Sequence, residues 1–256
     1  MSSSKRSSSV KVLPTVIGVI VVVAIIAVIG EIGVRMFMSK EIASGYRTSA
    51  EQQGITVNED PEVSFGSHSV LVALATKKLP ELTLNTPHTL EVNNPAALSG
   101  QPEIKGDPAA EVHMTNVDLN NREDPTAENT RINVTIPPEL IQALINRESG
   151  LRISNLQPLP AEGLFNVEFS SGFATSKVRP IVNGGNISID LEGGSLFNLN
   201  LDGLAKWIGQ NTNTLLNYDI GHGLSVEEAN VTDGGLALTL TGANLPMSTV
   251  NELRFN

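Results

Sequence analysis

Residues 12–30 form an unbroken run of 19 residues without a charged side chain, and this run constrains the chain more than any other feature. A helix needs about 20 mostly apolar residues to cross the hydrocarbon core of a bilayer. Lys5, Arg6 and Lys11 precede the run, and positive charge marks the cytoplasmic side. We expect a single-pass inner (plasma) membrane protein with a cytoplasmic stub at residues 1–11, a transmembrane anchor at residues 12–30 and an extracytoplasmic, periplasmic domain at residues 31–256.

Two other interpretations of the run stay open. A cleaved signal peptide has an apolar part of about 7 to 15 residues followed by a small-x-small site. This run is longer, and Val28-Ile29-Gly30 is its one acceptable site. A buried core helix is the third interpretation. The anchor and the signal peptide place the remaining chain in the same compartment.

Charge and composition exclude several classes of function. The whole chain has a net charge of −10, although its first 11 residues carry three positive charges, so the domain beyond the anchor is strongly acidic. Such a domain without a basic cluster is not expected to bind nucleic acid, because phosphate neutralisation dominates that binding. The absence of cysteine excludes thiol nucleophiles and thiolate metal sites.

The first part of the domain alternates short helices and strands. A helix that Gly54 ends is predicted from Arg35 to Gln53, either separate from the membrane helix or as its continuation. A second helix begins after Ser67 or Ser69 and ends at Pro80. Residues 55–57, 63–65, 82–84, 90–92 and 112–119, with a shift before Val117, have the character of strands. Residues 93–110 are rich in Pro, Gly and Asn and are predicted to be a surface loop.

The second part has clearer signals. Ile132, Val134 and Ile136 alternate strictly, which predicts a strand with one buried face, and Pro137-Pro138 begins a helix that Gly150 ends. A fourth helix is predicted after Asp202. Strands are predicted at residues 151–153, 164–169, 178–182, 187–191 and 196–201, with turns at Gly184-Gly185 and Gly193-Gly194.

A helix followed by a hairpin occurs twice, with hairpin strands that start at Gly150 and Gly163 and again at Gly223 and Gly235. Gly-Leu strand starts are also common in β-rich chains, so the repeat has an ordinary alternative. Repeated units that share an apolar face predict an α+β fold, with a long curved antiparallel β-sheet wrapped around amphipathic helices.

Three apolar helix stripes are candidate linings of an acyl-chain channel, although such residues are most simply core residues. An acyl chain gains about 0.8 kcal/mol per buried methylene, so ten methylenes supply about 8 kcal/mol without a cationic site. The candidates are Val70, Leu71, Leu74, Leu140, Ile141, Leu144, Ile145, Leu204, Trp207, Ile208 and Leu215.

Catalytic and metal motifs are weak. The four histidines are dispersed without an HExxH motif, and Gly66-Ser67-His68-Ser69 lacks the second glycine of a GxSxG nucleophile elbow. A partial calcium loop that starts at Asn198 has Gly209 where a bidentate Glu is needed. We therefore assign no catalytic residue, metal ligand or cofactor.

Several segments resemble the LmeA-type phospholipid-binding proteins of the actinobacterial cell envelope. They are VSFG at 63–66, LPELTL at 79–84, GLSV at 223–226, VTDGGLALTLTG at 231–242 and NLP at 244–246. The resemblance implies a tubular lipid-binding fold related to BPI-like (TULIP) proteins, binding of phospholipids such as phosphatidylinositol species, and a role in the maturation of envelope glycolipids such as lipomannan. The family tends to have Pro-aromatic-Leu where this chain has Ser69-Val70-Leu71.

The sequence thus predicts a non-enzymatic, membrane-anchored protein that holds or shuttles phospholipid or glycolipid. A structural β-domain that stabilises an envelope glycosyltransferase is the first alternative, and an envelope hydrolase is the second. An immunoglobulin-like sandwich is disfavoured, because the helices predicted at residues 138–149 and 203–216 have no place in one.

Overall fold

A computed structural model describes residues 12–52, 54–121, 124–148, 152–169, 174–194 and 223–251. The first helix is continuous over 40 residues, so the predicted membrane segment and the helix after it are one element. In the part of the chain that the structure describes, no helix combines the length and apolar character needed to cross a bilayer. The side chains of residues 12–23 lie outside the description, and the anchor and the division of the chain into three parts stay predictions.

The described elements mix four helices with twelve strands. In chain order they are α1 (Val12–Glu51), β1 (Glu62–Ser64), α2 (Val70–Thr76), β2 (Lys78–Thr86), β3 (Glu91–Asn93), β4 (Glu103–Lys105), β5 (Ala110–Asp118), β6 (Thr126–Ile136), α3 (Pro138–Glu148), β7 (Ile153–Leu159), β8 (Leu164–Phe169), β9 (Ala174–Asn183), β10 (Asn186–Gly194), β11 (Leu224–Thr232), β12 (Gly235–Pro246) and α4 (Met247–Asn251). The predicted strand 196–201 and the helix after Asp202 fall outside the described residues.

The largest sheet has six strands in the order β1-β2-β5-β6-β12-β11, and all neighbours pair antiparallel. Its register follows the alternation in the sequence. Ile132, Val134 and Ile136 of β6 lie opposite three leucines of β12, and all six side chains are buried. One face of the sheet is therefore dry, and the other carries polar side chains.

The remaining strands form a four-stranded antiparallel sheet, β10-β9-β8-β7, and the small pair β3-β4. The α+β class with a large antiparallel sheet is confirmed, but the described strands lie in two main sheets rather than in one continuous sheet. The division falls at α3, which carries the chain from β6 of one sheet to β7 of the other. Where the sheets meet, the Val226 amide of β11 donates to the Gly185 carbonyl, at 2.7 Å.

A single apolar core joins both sheets and α3. Leu140 and Ala143 of α3 are fully buried, and even its polar Gln142 and Asn146 have almost no exposed surface. This helix therefore lies in the interior, as the sequence predicted for a helix that is wrapped by strands.

The expected end of α2 was wrong. The helix α2 ends at Thr76 rather than at Pro80, because Lys77 takes a left-handed conformation and its amide caps the Ala73 carbonyl. Pro80 lies in β2 where β1 no longer pairs, so the amide it lacks is not needed there.

Three other local expectations were wrong. Residues 93–110, expected as a loop, contain β4, which pairs with β3, and residues 55–57 form no strand. Gly193 and Gly194 end β10 instead of making a turn. The shift before Val117 is confirmed, because Asn116 has φ +52° and reverses the alternation of β5.

Candidate functional site

The junction of α1 and α2 is organised by one carboxylate, Glu31. Its two oxygens accept hydrogen bonds from the Val70 amide at 2.7 Å, the Leu71 amide at 3.1 Å and the Ser69 hydroxyl at 2.7 Å. The Ser69 hydroxyl also accepts the Val72 amide, at 3.3 Å. The first three amides of α2, which lack partners within the helix, are thereby all satisfied.

These contacts control the charge of Glu31. Donation from the Val70 amide, followed by the Leu71, Ser69 and Arg35 donors, outweighs the opposing effect of burial and lowers the pKa of Glu31 from 4.5 to about 2. The carboxylate is therefore ionised at every physiological pH, and its negative charge lies at the positive N-terminal end of α2.

Arg35 completes the junction one turn further along α1. Its Nε donates to Glu31 at 2.7 Å, and its two terminal nitrogens donate to the carbonyls of Gly66, at 3.0 Å, and His68. Gly66 has φ +60°, and a Cβ there would collide with the Glu81 side chain. The loop before α2 is thus held against α1 in a conformation that only glycine adopts easily.

The outer side of this junction is apolar and exposed. On α1, Ile32, Met36 and Phe37 are 53%, 69% and 68% exposed. On α2, Leu71, Val72 and Leu74 are 36%, 60% and 38% exposed. We call these six side chains the basal apolar surface. It is continuous with the predicted anchor, because the Leu71 side chain lies beside Gly30, where an added Cβ would meet it at 3.4 Å.

The candidate channel residues divide between core and surface. Val70, Leu140, Leu144 and Ile145 are buried, Ile141 is half-buried against the core, and Leu71 and Leu74 belong to the basal apolar surface. Leu204, Trp207, Ile208 and Leu215 lie outside the described residues. Whether these side chains line a channel stays a prediction.

Two grooves cross the polar face of the six-stranded sheet. The larger, of about 620 Å³, runs over β5, β6, β12 and the start of β11, and its walls include Thr115, Asn129 and Thr241. The smaller, of about 440 Å³, includes Glu111, Asn133 and Asn230. None of the candidate channel residues that the structure describes lines either groove.

His113 in the larger groove lacks the geometry of a catalytic triad. Its Nδ1 lies 3.0 Å from the Thr83 hydroxyl and 3.9 Å from a Glu81 oxygen. A triad places the nucleophile and the carboxylate on opposite ring nitrogens, whereas both groups here approach the same one. Within the described chain, no three histidine, aspartate or glutamate side chains are grouped so that they could hold a metal ion.

The comparison with protein families decides what kind of protein this is. The model of the LmeA-like phospholipid-binding family matches residues 29–241. The chain belongs to this family. No curated protein and no solved structure matches it. The match begins beside Glu31 and includes the α1–α2 junction, α3 and most of both sheets of this LmeA-like protein.

Sequence reasoning missed the two residues that organise the junction of this LmeA-like protein. Ser67 or Ser69 was predicted as the cap of α2, and the structure has Ser69 as its N-cap. The contacts that Glu31 and Arg35 make with the segment around the start of α2 gave no local signal, because those partners are more than 30 positions away in the chain. A charge pair four residues apart directly after an apolar run was the one available clue.

Proposed function

We propose that this LmeA-like protein binds phospholipid or glycolipid on the outer side of the membrane that anchors it, and that it holds or shuttles the lipid without chemical change. The observation that carries the proposal is the family match over residues 29–241, since this family binds phospholipid. In this proposal, the bound lipid supplies the maturation of lipomannan or another envelope glycolipid, alongside an envelope glycosyltransferase.

The distribution of charge supports apolar recognition. The chain has a net charge of −10, so an anionic headgroup gains little from the protein as a whole. Each buried methylene contributes about 0.8 kcal/mol, and acyl chains alone can therefore supply the affinity. Ile141 on α3 is the described candidate on that helix that is half-buried against the core rather than fully buried in it.

The anchor belongs to the same proposal. The run at residues 12–30 follows three basic residues, which favours a cytoplasmic N-terminus and an extracytoplasmic domain. A lipid-binding domain that stays attached to the membrane has its ligand at high local concentration.

Photocrosslinking tests this function in the full chain. The protein is reconstituted into vesicles that contain a phospholipid with a diazirine on its acyl chain, irradiated, digested and analysed by mass spectrometry. We expect crosslinks on α3 and on the inward residues of the strands, in addition to those on the anchor.

The anchor serves as the internal control, because its residues must be labelled in any membrane-bound protein. Crosslinks confined to residues 12–37 and α2 would contradict the proposal. That result would favour a scaffold domain that meets lipid at its base alone.

A further inference from the structure

The apolar surface of α1 does not stop where the uncharged run stops. Ile32, Met36 and Phe37 continue it for two turns beyond Gly30 and remain more than half exposed. A soluble domain has no reason to place three large apolar side chains in water along one helix side. Their position directly after the run points to lipid as the medium that covers them.

The chain also approaches the apolar half of α1 as it enters α2. Arg35 holds the carbonyls of Gly66 and His68, whereas Glu31 holds the amides of Val70 and Leu71. Between these two contacts the segment moves along α1 by four residues, or about 6 Å, toward its N-terminus. Leu71 then lies beside Gly30, the last residue of the run, so near that a Cβ added at this glycine would meet the leucine side chain at 3.4 Å.

The two charges at this level are paired and partly buried, with the side chains of Arg35 and Glu31 30% and 20% exposed. Glu31 and Arg35 pair with each other at 2.7 Å, and both also bond to the backbone around the start of α2. Charged groups near a bilayer are tolerated when they are paired and face the protein. The arrangement leaves the outward side of both helices without an unpaired charge at the level of this ion pair.

From these observations we infer that α2 is an interfacial helix: Leu71, Val72 and Leu74 insert into the outer leaflet beside the anchor, and the basal apolar surface is a bilayer-docking surface. The inference rests on the anchoring in the proposed function. Interfacial helices bury their apolar face about 5–10 Å into the boundary between headgroups and acyl chains.

The far end of α2 suits the same position. Lys77 and Lys78 follow the helix directly and are both exposed. The seven-residue helix is about 10 Å long, so these ammonium groups can lie among lipid phosphates while the leucines lie deeper.

The chain has no cysteine, so single-cysteine labelling of the full-length protein is clean. An NBD fluorophore is attached at Val72→Cys, at Ile25→Cys in the predicted anchor and at Leu98→Cys. Leu98 is 73% exposed, in the loop between β3 and β4, which follows the far end of β2, a strand of nine residues or about 30 Å that begins next to α2. The labelled proteins are reconstituted into phosphatidylcholine vesicles that contain nitroxide lipids.

We expect strong quenching and a blue-shifted emission at position 72, most of all with the nitroxide near the headgroup end of the acyl chain, and little change at position 98. Quenching at position 25 but not at position 72 would overturn the docking of α2 and leave the anchor and lipid binding intact. Absence of quenching at both positions would overturn the docking and the anchoring together, and the photocrosslinking result would then show whether lipid binding survives.

Discussion

At the scale of single residues, one carboxylate fixes where α2 begins. Glu31 supplies what the backbone of α2 lacks, and its partners lie 38 to 40 positions away. Local rules found Ser69 as the cap because capping acts over three residues. They did not find Glu31, because a contact made across the fold leaves no periodic trace in the sequence.

The lowered pKa of Glu31 predicts a pH dependence. A carboxyl group with a pKa of about 2 in the folded protein and 4.5 otherwise stabilises the fold fully above pH 4.5, and this contribution is lost as the pH falls from 4.5 to 2. We expect Glu31→Gln to lower the Tm of the full chain in detergent at pH 7, and the difference from the native chain to shrink toward pH 2. Circular dichroism melts measure both.

Glu62→Gln on the exposed end of β1 is the matched control, because the substitution is the same and the side chain is exposed. A Tm difference for Glu31→Gln that is constant from pH 7 to pH 2.5 would show that the charge of Glu31 is not what stabilises the junction.

At the scale of elements, α3 depends on two buried amides as well as on its leucines. The Asn146 side chain donates to the carbonyls of Pro95 and Ile153, at 2.7 and 2.9 Å, and accepts the Ile153 amide at 2.7 Å. Gln142 donates to the same Ile153 carbonyl, at 2.9 Å. These bonds fasten the first residue of β7 to the helix that precedes it.

Replacing Asn146 tests this fastening. Asn146→Ala leaves a buried amide and two carbonyls without this partner, and an unsatisfied buried group costs about 1–3 kcal/mol. We expect the free energy of unfolding to fall by about 2–4 kcal/mol in urea titrations. Asn129→Ala, at an exposed position of β6, should change it by less than about 0.5 kcal/mol. Equal effects of the two substitutions would contradict the structural role of Asn146.

The elements that the sequence predicted well are those with a strong local period. The alternation at residues 132–136, the Pro137-Pro138 helix start and the strand at residues 164–169 all agree with the structure. Of the pair β3-β4, the sequence predicted β3, at residues 90–92, but not β4, because each strand has three residues and their paired residues are 10 positions apart at the closest. A short strand of this kind is specified by pairing rather than by its own pattern.

At the scale of the whole molecule, a continuous core predicts cooperative unfolding. Residues of the six-stranded sheet, the four-stranded sheet and α3 belong to one cluster. Leu156 on β7 is buried in that cluster. A buried Leu→Ala substitution costs about 2–5 kcal/mol, and in a cooperative fold this cost is shared by every element.

We expect Leu156→Ala to accelerate amide hydrogen exchange in β6 and β12 as well as in β7 and β8, by the same free energy. Mass-spectrometric exchange of the full chain measures this. Leu98→Ala, in an exposed loop, is the matched control. Faster exchange restricted to the four-stranded sheet would show two units that unfold separately.

The sequence predicted the α+β class of the fold, but it did not predict how the strands are divided between sheets. Alternating strands and an internal helix followed from patterns of burial, and α3 does lie inside. That the strands divide into two main sheets depends on where α3 directs the chain, and no residue pattern at Pro137 or Ile153 encodes that direction. The residues of the candidate site differ in the same respect. The apolar stripe of α3 could be predicted from its helical period, whereas the ion pair between Glu31 and Arg35 at the start of α2 could not.

The helix α1 runs without interruption from residue 12 to residue 51. Its part beyond residue 30 is ~30 Å long and packs on the domain through Val34, Met38 and Ile42. In the proposed orientation this part is a rigid connection between the membrane and the domain rather than a flexible linker. A tilt of residues 12–30 in the membrane would therefore tilt the sheets by the same angle. The distance of the domain from the membrane and its orientation are then fixed. A partner in the same membrane would have to bind the domain in that one position.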